Sequence, residues 1–474
     1  MLSCRVSSGD RGLDEVLDGG FPRGSLIVLA GNPGTGKTVF SAQFLYRGAV
    51  DHNEPGVYVS FAENKETFYG NMMGFGFDFE ALEKTGKFRY LDLLTVREAG
   101  VSTVLNMIVE AVEAVKAKRL VLDSYSVLAQ AFERPFDSRI VAHTLLSKII
   151  RQVGCTSLLI SEVPYGSERI GTGMEEFVAD GVLLLRASEI DGRLFRDLEI
   201  KKMRGTRITE STLAFTIYDG FKAFTMFRDK PLKGGVFQPI PDGTDRFSTG
   251  IPDLDSLLGG GYPKGSTVLL EIDLNVSTLQ YHLFLASAFN FLAQDRPLFV
   301  IPSVGVDLDL ILNRARDAGF ADEKLERLLR LFEFKGIVLN KHPCLVEMEG
   351  RDTEVDIEKY LDTVDEIRTR TGQPVIHVIG VDKMATHYGF EATLRILNLA
   401  VSMVRQRRSL AIFILKPGFK NAVPILNSIV DVHLKVVREH GALLVYGLKP
   451  RTNLNFVEMD VTKGYPITRL KPIE

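Results

Sequence analysis

The chain contains one segment twice. Residues 5–25 read RVSSGDRGLDEVLDGGFPRGS and residues 246–266 read RFSTGIPDLDSLLGGGYPKGS; aligned without a gap, they are identical at 11 of 21 positions. Phe21 against Tyr262 and Arg23 against Lys264 are conservative exchanges. The offset of 241 residues is domain-sized and far longer than a solenoid repeat, so the match means internal duplication. Whatever fold the first copy adopts, the second must adopt a version of it. The segment between them, DKPLKGGVFQPIPDGTD (229–245), carries Pro and Gly with little periodicity and reads as a linker. The expected domains are residues 1–235 and 236–474.

Short apolar runs alternate with helix-compatible stretches in each half, most clearly in the first. Leu26–Ala30, Gly56–Phe61, Arg119–Asp123, Ser157–Ile160 and Gly181–Leu185 are the strand candidates. This alternation predicts an α/β fold, a mainly parallel sheet flanked by helices, in both halves. The runs suit buried strands and are too short to span a bilayer, so no membrane segment is expected. A net charge of -3 gives no global pull toward nucleic acid or an acidic membrane. Cys4, Cys155 and Cys344 are too few and too dispersed for a disulfide framework. The first residues, MLSCRVSSGDRG, lack the apolar core of a secretory signal. A reducing, cytoplasmic setting is therefore expected.

The first half holds a phosphate-binding pattern. Gly31, Asn32, Pro33, Gly34, Thr35, Gly36, Lys37 and Thr38 fit G-x-x-x-x-G-K-[ST], with an apolar strand before them and a helix-compatible run after. Glycines let the backbone curl until successive N–H groups face an anion, and the following helix adds its positive end. Lys37 is expected on the β- and γ-phosphates of ATP and Thr38 on Mg²⁺.

Other candidates take their meaning from position. Asp123 closes the strand RLVLD, where a carboxylate suits Mg²⁺ but also suits a helix N-cap. Glu63 follows the second strand at the carboxyl edge, where sites form in parallel sheets. It reads either as the group that polarises the attacking water or as a solvated loop carboxylate. Lys202 and Arg204 share one face of a strand, which fits two cations aimed at a triphosphate or an exposed sheet edge.

These residues together resemble the KaiC group of the RecA-type ATPases. The features are Ser8-Gly9 with Leu13-Asp14, the Gly-Gly-x-Pro-x-Gly turn, GNPGTGKT, GVYVSFAEN, GFGFDF, VLDSYS, MEEFVADGVLLLR and LEIKKMRGT, in the family's order. The resemblance implies two tandem RecA-like P-loop NTPase domains, and a homo-oligomeric ring or filament with ATP at subunit interfaces. It places Lys37 and Thr38 as the Walker A pair and Asp123 as the Walker B carboxylate. Glu63 becomes one member of a catalytic pair whose other position here is Ala62, which implies slow turnover. Lys202 and Arg204 become the cations that reach ATP across the interface.

The second half resembles the family by its opening motif and architecture only. Where the first half reads LAGNPGTGKT, it reads Leu270-Glu271-Ile272-Asp273-Leu274-Asn275-Val276-Ser277-Thr278-Leu279. Without the glycines and lysine, no phosphate nest is expected. The same offset puts Val304 opposite Glu63, and Asp382 follows a strand without a P-loop lysine to work with. Lys449 and Arg451 repeat the spacing of Lys202 and Arg204.

The expected function is Mg²⁺-dependent ATP binding and hydrolysis by an oligomer whose second domain is inactive. One alternative is a nucleotide-gated module for an unidentified protein partner, with little turnover. Another is an accessory ATPase of DNA recombination or repair, although nothing in the charge indicates DNA.

Overall fold

The computed structural model describes residues 5–94, 101–124, 154–166, 179–336 and 342–474. Cys4, Tyr125 and Ser126 of VLDSYS, and residues 174–178 of MEEFVADGVLLLR lie outside them. The chain divides into two compact units: Met1–Met226 with His440–Ala442 and Pro472–Glu474, and Phe227–Glu439 with Leu443–Lys471. The Pro/Gly-rich segment lies with the second unit. Gly235 N–H donates to Asp317 O and Phe237 N–H to Ala318 O. A Cβ at Gly235 would come within 2.1 Å of Lys463 O, so glycine there permits close docking where the sequence suggested only looseness.

In the first unit β1 (Arg5–Val6) and β2 (Phe21–Pro22) form a small antiparallel pair. The main strands are β3 (Leu26–Gly31), β4 (Gly56–Ser60), β5 (Phe88–Asp92), β6 (Arg119–Asp123), β7 (Thr156–Glu162), β8 (Gly181–Ile190), β9 (Arg193–Met203), β10 (Thr212–Thr216) and β11 (Lys222–Phe224). Among the described residues they lie in the order β11-β10-β9-β8-β3-β7-β6-β4-β5. From β8 to β5 every pairing is parallel, and β9 to β11 extend the sheet antiparallel. Strands such as β3 and β4 are buried along their whole length, which is why they read as unbroken apolar runs.

The second unit repeats the plan. After the small pair β12 (Arg246–Phe247) and β13 (Tyr262–Pro263) come β14 (Ser266–Ile272), β15 (Leu298–Ile301), β16 (Leu329–Phe334), β17 (Leu345–Met348), β18 (Ile376–Gly380), β19 (Leu410–Leu415), β20 (Val432–Glu439), β21 (Ala442–Lys449), β22 (Asn455–Asp460) and β23 (Ile467–Pro472). Their order is β17-β16-β15-β18-β19-β14-β20-β21-β22-β23, the first sheet's order with β17 added at one edge. Both units are thus RecA-like α/β layers in tandem. No helix among the described residues is long and apolar enough to cross a membrane.

One buried ion pair ties the first unit together. Arg119 is 0% exposed and faces Glu54 at 2.8 Å, with Nη1 donating to Ser7 O and Phe44 O. Gly48 makes room for it: a Cβ there would meet Arg119 Nε at 2.3 Å. Removing the guanidinium strands two carbonyls and leaves Glu54 with Arg23, at 2.9 Å, as its remaining cation. Arg119→Ala is expected to cost about 3–5 kcal/mol in the first unit's urea transition and to leave the second unit's unchanged.

Candidate nucleotide site

β3 runs straight into the phosphate loop, and the helix Lys37–Asp51 leaves it. Gly34 and Gly36 take φ of 79° and 99°, a region closed to most L-residues, and Gly36 is the helix N-cap without a side chain of its own. Gly31 is equally constrained, because a Cβ there would lie 2.6 Å from Leu185 O. Asn32 Nδ2 donates to Val163 O, and the Arg196 guanidinium of β9 donates to Gly34 O at 3.0 Å. The loop is therefore held on one side from the end of the adjacent strand β7 and on the other from β9, which lies beyond β8, while its backbone N–H groups stay at the head of the helix.

Lys37 is 6% exposed and folds back on the loop, donating to Gly31 O at 2.8 Å and Asn32 O at 2.9 Å. Glu162 Oε1 lies 3.8 Å away. Burial lowers the Lys37 ammonium from its ordinary value, while the Glu162 and Asp123 carboxylates oppose the shift. Thr38 Oγ1 is 3.5 Å from Asp123 Oδ2, and the buried Tyr58 hydroxyl donates to the same oxygen. Burial raises the Asp123 carboxyl; the Tyr58 bond and the Lys37 charge pull it back. Hydroxyl and carboxylate oxygens side by side are hard donors of the kind Mg²⁺ takes, with phosphate and water completing its shell.

Glu63 lies beyond β4 in a turn fixed by Ser60 Oγ, which accepts from Glu63 N–H at 2.9 Å. Asn71 donates to its carboxylate and Tyr90 to its carbonyl. Burial raises the Glu63 carboxyl, and the charge on Asp123 adds to that. Gly31 to Thr38, Asp123 and Glu63 therefore share the carboxyl edge of the sheet.

Lys202 and Arg204 do not join them. β8 pairs Val182 with both Val28 and Lys202, and Arg204 N–H donates to Asp180 O, which in turn is level with Leu26. The Arg204 guanidinium lies 3.5 Å from Asp180. Leu26 and Gly31 are the two ends of β3, roughly 16 Å apart at about 3.3 Å per residue. Arg204 thus stands at the amino edge of the sheet whose carboxyl edge carries the phosphate loop, beyond reach of that loop.

Sequence reasoning missed Glu162, Tyr58 and Arg196. Glu162 ends an apolar strand beside the loop, the signal that singled out Asp123, and was open to the same reading. Tyr58 and Arg196 carry no comparable signal; only strand order brings them to the site.

The model of the KaiC ATPase family matches residues 6–226. A UPF0273 protein of Methanocaldococcus jannaschii is 35% identical over 243 residues, which make up 48% of this chain and 98% of that protein. This chain belongs to the KaiC-like ATPases. A circadian clock oscillator protein KaiC of Prochlorococcus marinus is 32% identical over 273 residues, covering 56% of this chain and 53% of that protein. A solved KaiC-like protein of Pyrococcus horikoshii matches 47% of this chain and 99% of its own at 39% identity, with a TM-score of 0.43.

The second domain of this KaiC-like chain differs at every matching position. Ile272 replaces Gly31, and Ser277, at φ -76°, replaces Gly36. Ser277 N–H is taken by Gln280 Oε1 at 3.0 Å, closing the head of the helix with the protein's own groups. Asp273 pairs with Lys420 at 3.1 Å, and Glu271 with His433 at 2.9 Å. Strand register makes Gly380 the counterpart of Asp123. A side chain is shut out there, because a Cβ would lie 2.6 Å from Ser303 N and Cα. Asp382, at first sight the end of this strand, is in the first turn of the helix Val381–Tyr388 and accepts from Val304 N–H. Lys416 stands where Glu162 stands in the first domain.

Proposed function

We propose that the first domain binds Mg²⁺-ATP and hydrolyses it at an interface between copies of this chain, and that the second domain has no nucleotide chemistry. The observation that carries this reading is the division of the first sheet: loop, Asp123 and Glu63 at one edge, Arg204 at the other, with Lys202 partway along, level with Val28. A head-to-tail contact brings the second edge of one copy to the first edge of the next.

In this mechanism the loop N–H groups hold the phosphates, and Lys37 turns from the Gly31 and Asn32 carbonyls to the β- and γ-phosphates. Thr38 and Asp123 would hold Mg²⁺, which supplies neutralisation of the phosphate charge. Glu63 orients the attacking water and takes its proton. Lys202 and Arg204 of the neighbouring copy stabilise the charge that builds on the transferred group. Phosphate release from Mg²⁺-ATP, with stoichiometric nucleotide binding, tests the reading; no release at any temperature at which the chain is folded defeats it.

Tyr58 acts by positioning Asp123. Tyr58→Phe keeps the buried ring and removes the hydrogen bond. It is expected to raise the Mg²⁺ concentration for half-maximal activity about tenfold, with less change in kcat at saturating Mg²⁺. A Mg²⁺ titration checks this.

Glu63 sets an acid limb. A base works only when deprotonated, so the rate falls as pH drops through its pKa. Because burial and Asp123 raise that pKa, the limb is expected above the ordinary glutamate range. Glu63→Gln is expected to lower kcat about 10²–10⁴-fold and flatten the limb in a pH–rate profile.

A second reading has its own support. Ala62 stands beside Glu63 where the related pattern carries a second carboxylate, which favours a module gated by ATP occupancy with slow turnover. Recovery of protein partners from lysate that is equal with and without ATP counts against it.

A further inference from the structure

The duplicated fold allows the two domains to be compared position by position, and one difference leaves a hole. Strand register equates Tyr58 of β4 with Val300 of β15. In the first domain the Tyr58 ring packs against Phe68 at 4.4 Å and fills the space between sheet and helices. In the second domain the valine leaves a cavity of about 100 Å³ lined by Val300, Phe289, Ile311, Tyr281, Ser303 and Arg314, among others. An apolar cavity of roughly 150 Å³ is enough to take benzene, so a single ring inserted partway is the right scale for this one.

We propose that the second domain binds a small aromatic carboxylic acid in this cavity, its ring lodged where the first domain keeps its own tyrosine ring.

The polar groups on the wall define the ligand. Tyr281 and Ser303 are each 1% exposed; Ser303 and Thr278 stand near the Tyr281 hydroxyl, but neither the Tyr281 nor the Ser303 hydroxyl makes a hydrogen bond of good geometry. Buried hydroxyls in that state favour a ligand that brings a polar substituent to the deep end. Arg314 and His282 are only half-buried and mark the outer end. Among the described residues Arg314 has no carboxylate at ion-pair distance. Burial and the nearby Arg314 and Lys416 cations push the His282 imidazole down to about 4, so it is neutral near pH 7. The carboxylate therefore meets a cation and a neutral ring at the outer end. The ring meets aliphatic and aromatic walls, and a para hydroxyl meets Tyr281 and Ser303. This site is independent of the phosphate loop and of whether the first domain turns ATP over.

The probe is 4-hydroxybenzoate, added to the full chain and followed by calorimetry and saturation-transfer NMR, with phenol as a second probe. One saturable site per chain is expected, unchanged in Lys37→Ala. Arg314→Leu should weaken 4-hydroxybenzoate at least tenfold and leave phenol unchanged. Val300→Phe, which puts a ring back into the hole, should abolish both. If Val300→Phe does not fold, Arg314→Leu decides alone: equal affinity for the acid in wild type and variant overturns the proposal. So does the absence of saturable binding to the wild type, or unchanged binding to a folded Val300→Phe protein.

Discussion

Lys37→Ala is expected to remove nucleotide binding from the whole chain, not from half of it. Its ammonium is the buried cation of the phosphate loop, held over the loop by the Gly31 and Asn32 carbonyls with Glu162 nearby. Losing a charge-assisted contact of about 3 kcal/mol raises Kd by roughly 10²-fold or more. The second domain offers no substitute. Its helix head is closed by Ser277 and Gln280, and its counterpart of Asp123 is a glycine with backbone 2.6 Å from where a Cβ would stand. Equilibrium dialysis with a non-hydrolysable ATP analogue reads the outcome. Wild type should bind one nucleotide per chain and the variant none at the same concentration. Tight binding of one nucleotide by the variant would locate a site in the second domain and end the proposed division of labour.

Arg204→Ala is expected to separate binding from turnover. Arg204 stands at the amino edge of its own sheet, so its loss should leave ATP affinity within a few-fold of wild type. Turnover should fall by roughly 10³-fold or more, the usual worth of an arginine supplied from a neighbour. The decisive measurement mixes two inactive proteins. Arg204→Ala chains keep a working phosphate loop, and Lys37→Ala chains keep a working Arg204. Mixed assemblies should regain phosphate release at the interfaces that join one good half from each. If the mixture stays as inactive as its parts while forming assemblies with ATP, Arg204 does not act across an interface.

The parts of the site that the sequence made legible are those that sit close together along the chain. Gly31 to Thr38 form one uninterrupted segment, and their spacing is their chemistry. Asp123 and Glu63 were legible for a related reason. Asp123 ends an apolar strand and Glu63 lies just past the end of another, and in a parallel sheet all such ends lie on one edge. Glu162 obeys the same rule and differs only in following a strand less sharply bounded in the sequence. Tyr58 was legible only as a residue of the strand candidate Gly56–Phe61, because a strand's sequence does not say what stands opposite each side chain. Its link to Asp123 depends on β4 lying next to β6, a pairing between strands far apart in sequence.

The comparison between halves shows the same limit. Carrying the 241-residue offset forward places Val304 opposite Glu63, whereas sheet register places Gly305 there, because the segment between β14 and β15 is one residue longer than its counterpart. An offset is a property of the chain and drifts with each insertion. Register is fixed by backbone hydrogen bonds and does not.

By itself, the sequence determined that this chain is one fold used twice, and that only the first copy carries a phosphate loop. Both are local facts: a repeated string, and a loop that needs glycine where positive φ or close backbone approach leaves no room for a side chain. Only the tertiary structure decided which edge of the sheet each charged group occupies. It put Arg204 out of reach of its own phosphate loop, set Tyr58 against Asp123, and left a hole at Val300. The physical reason is that strand order and register, which the linear pattern does not encode, decide which distant residues come within a few ångströms.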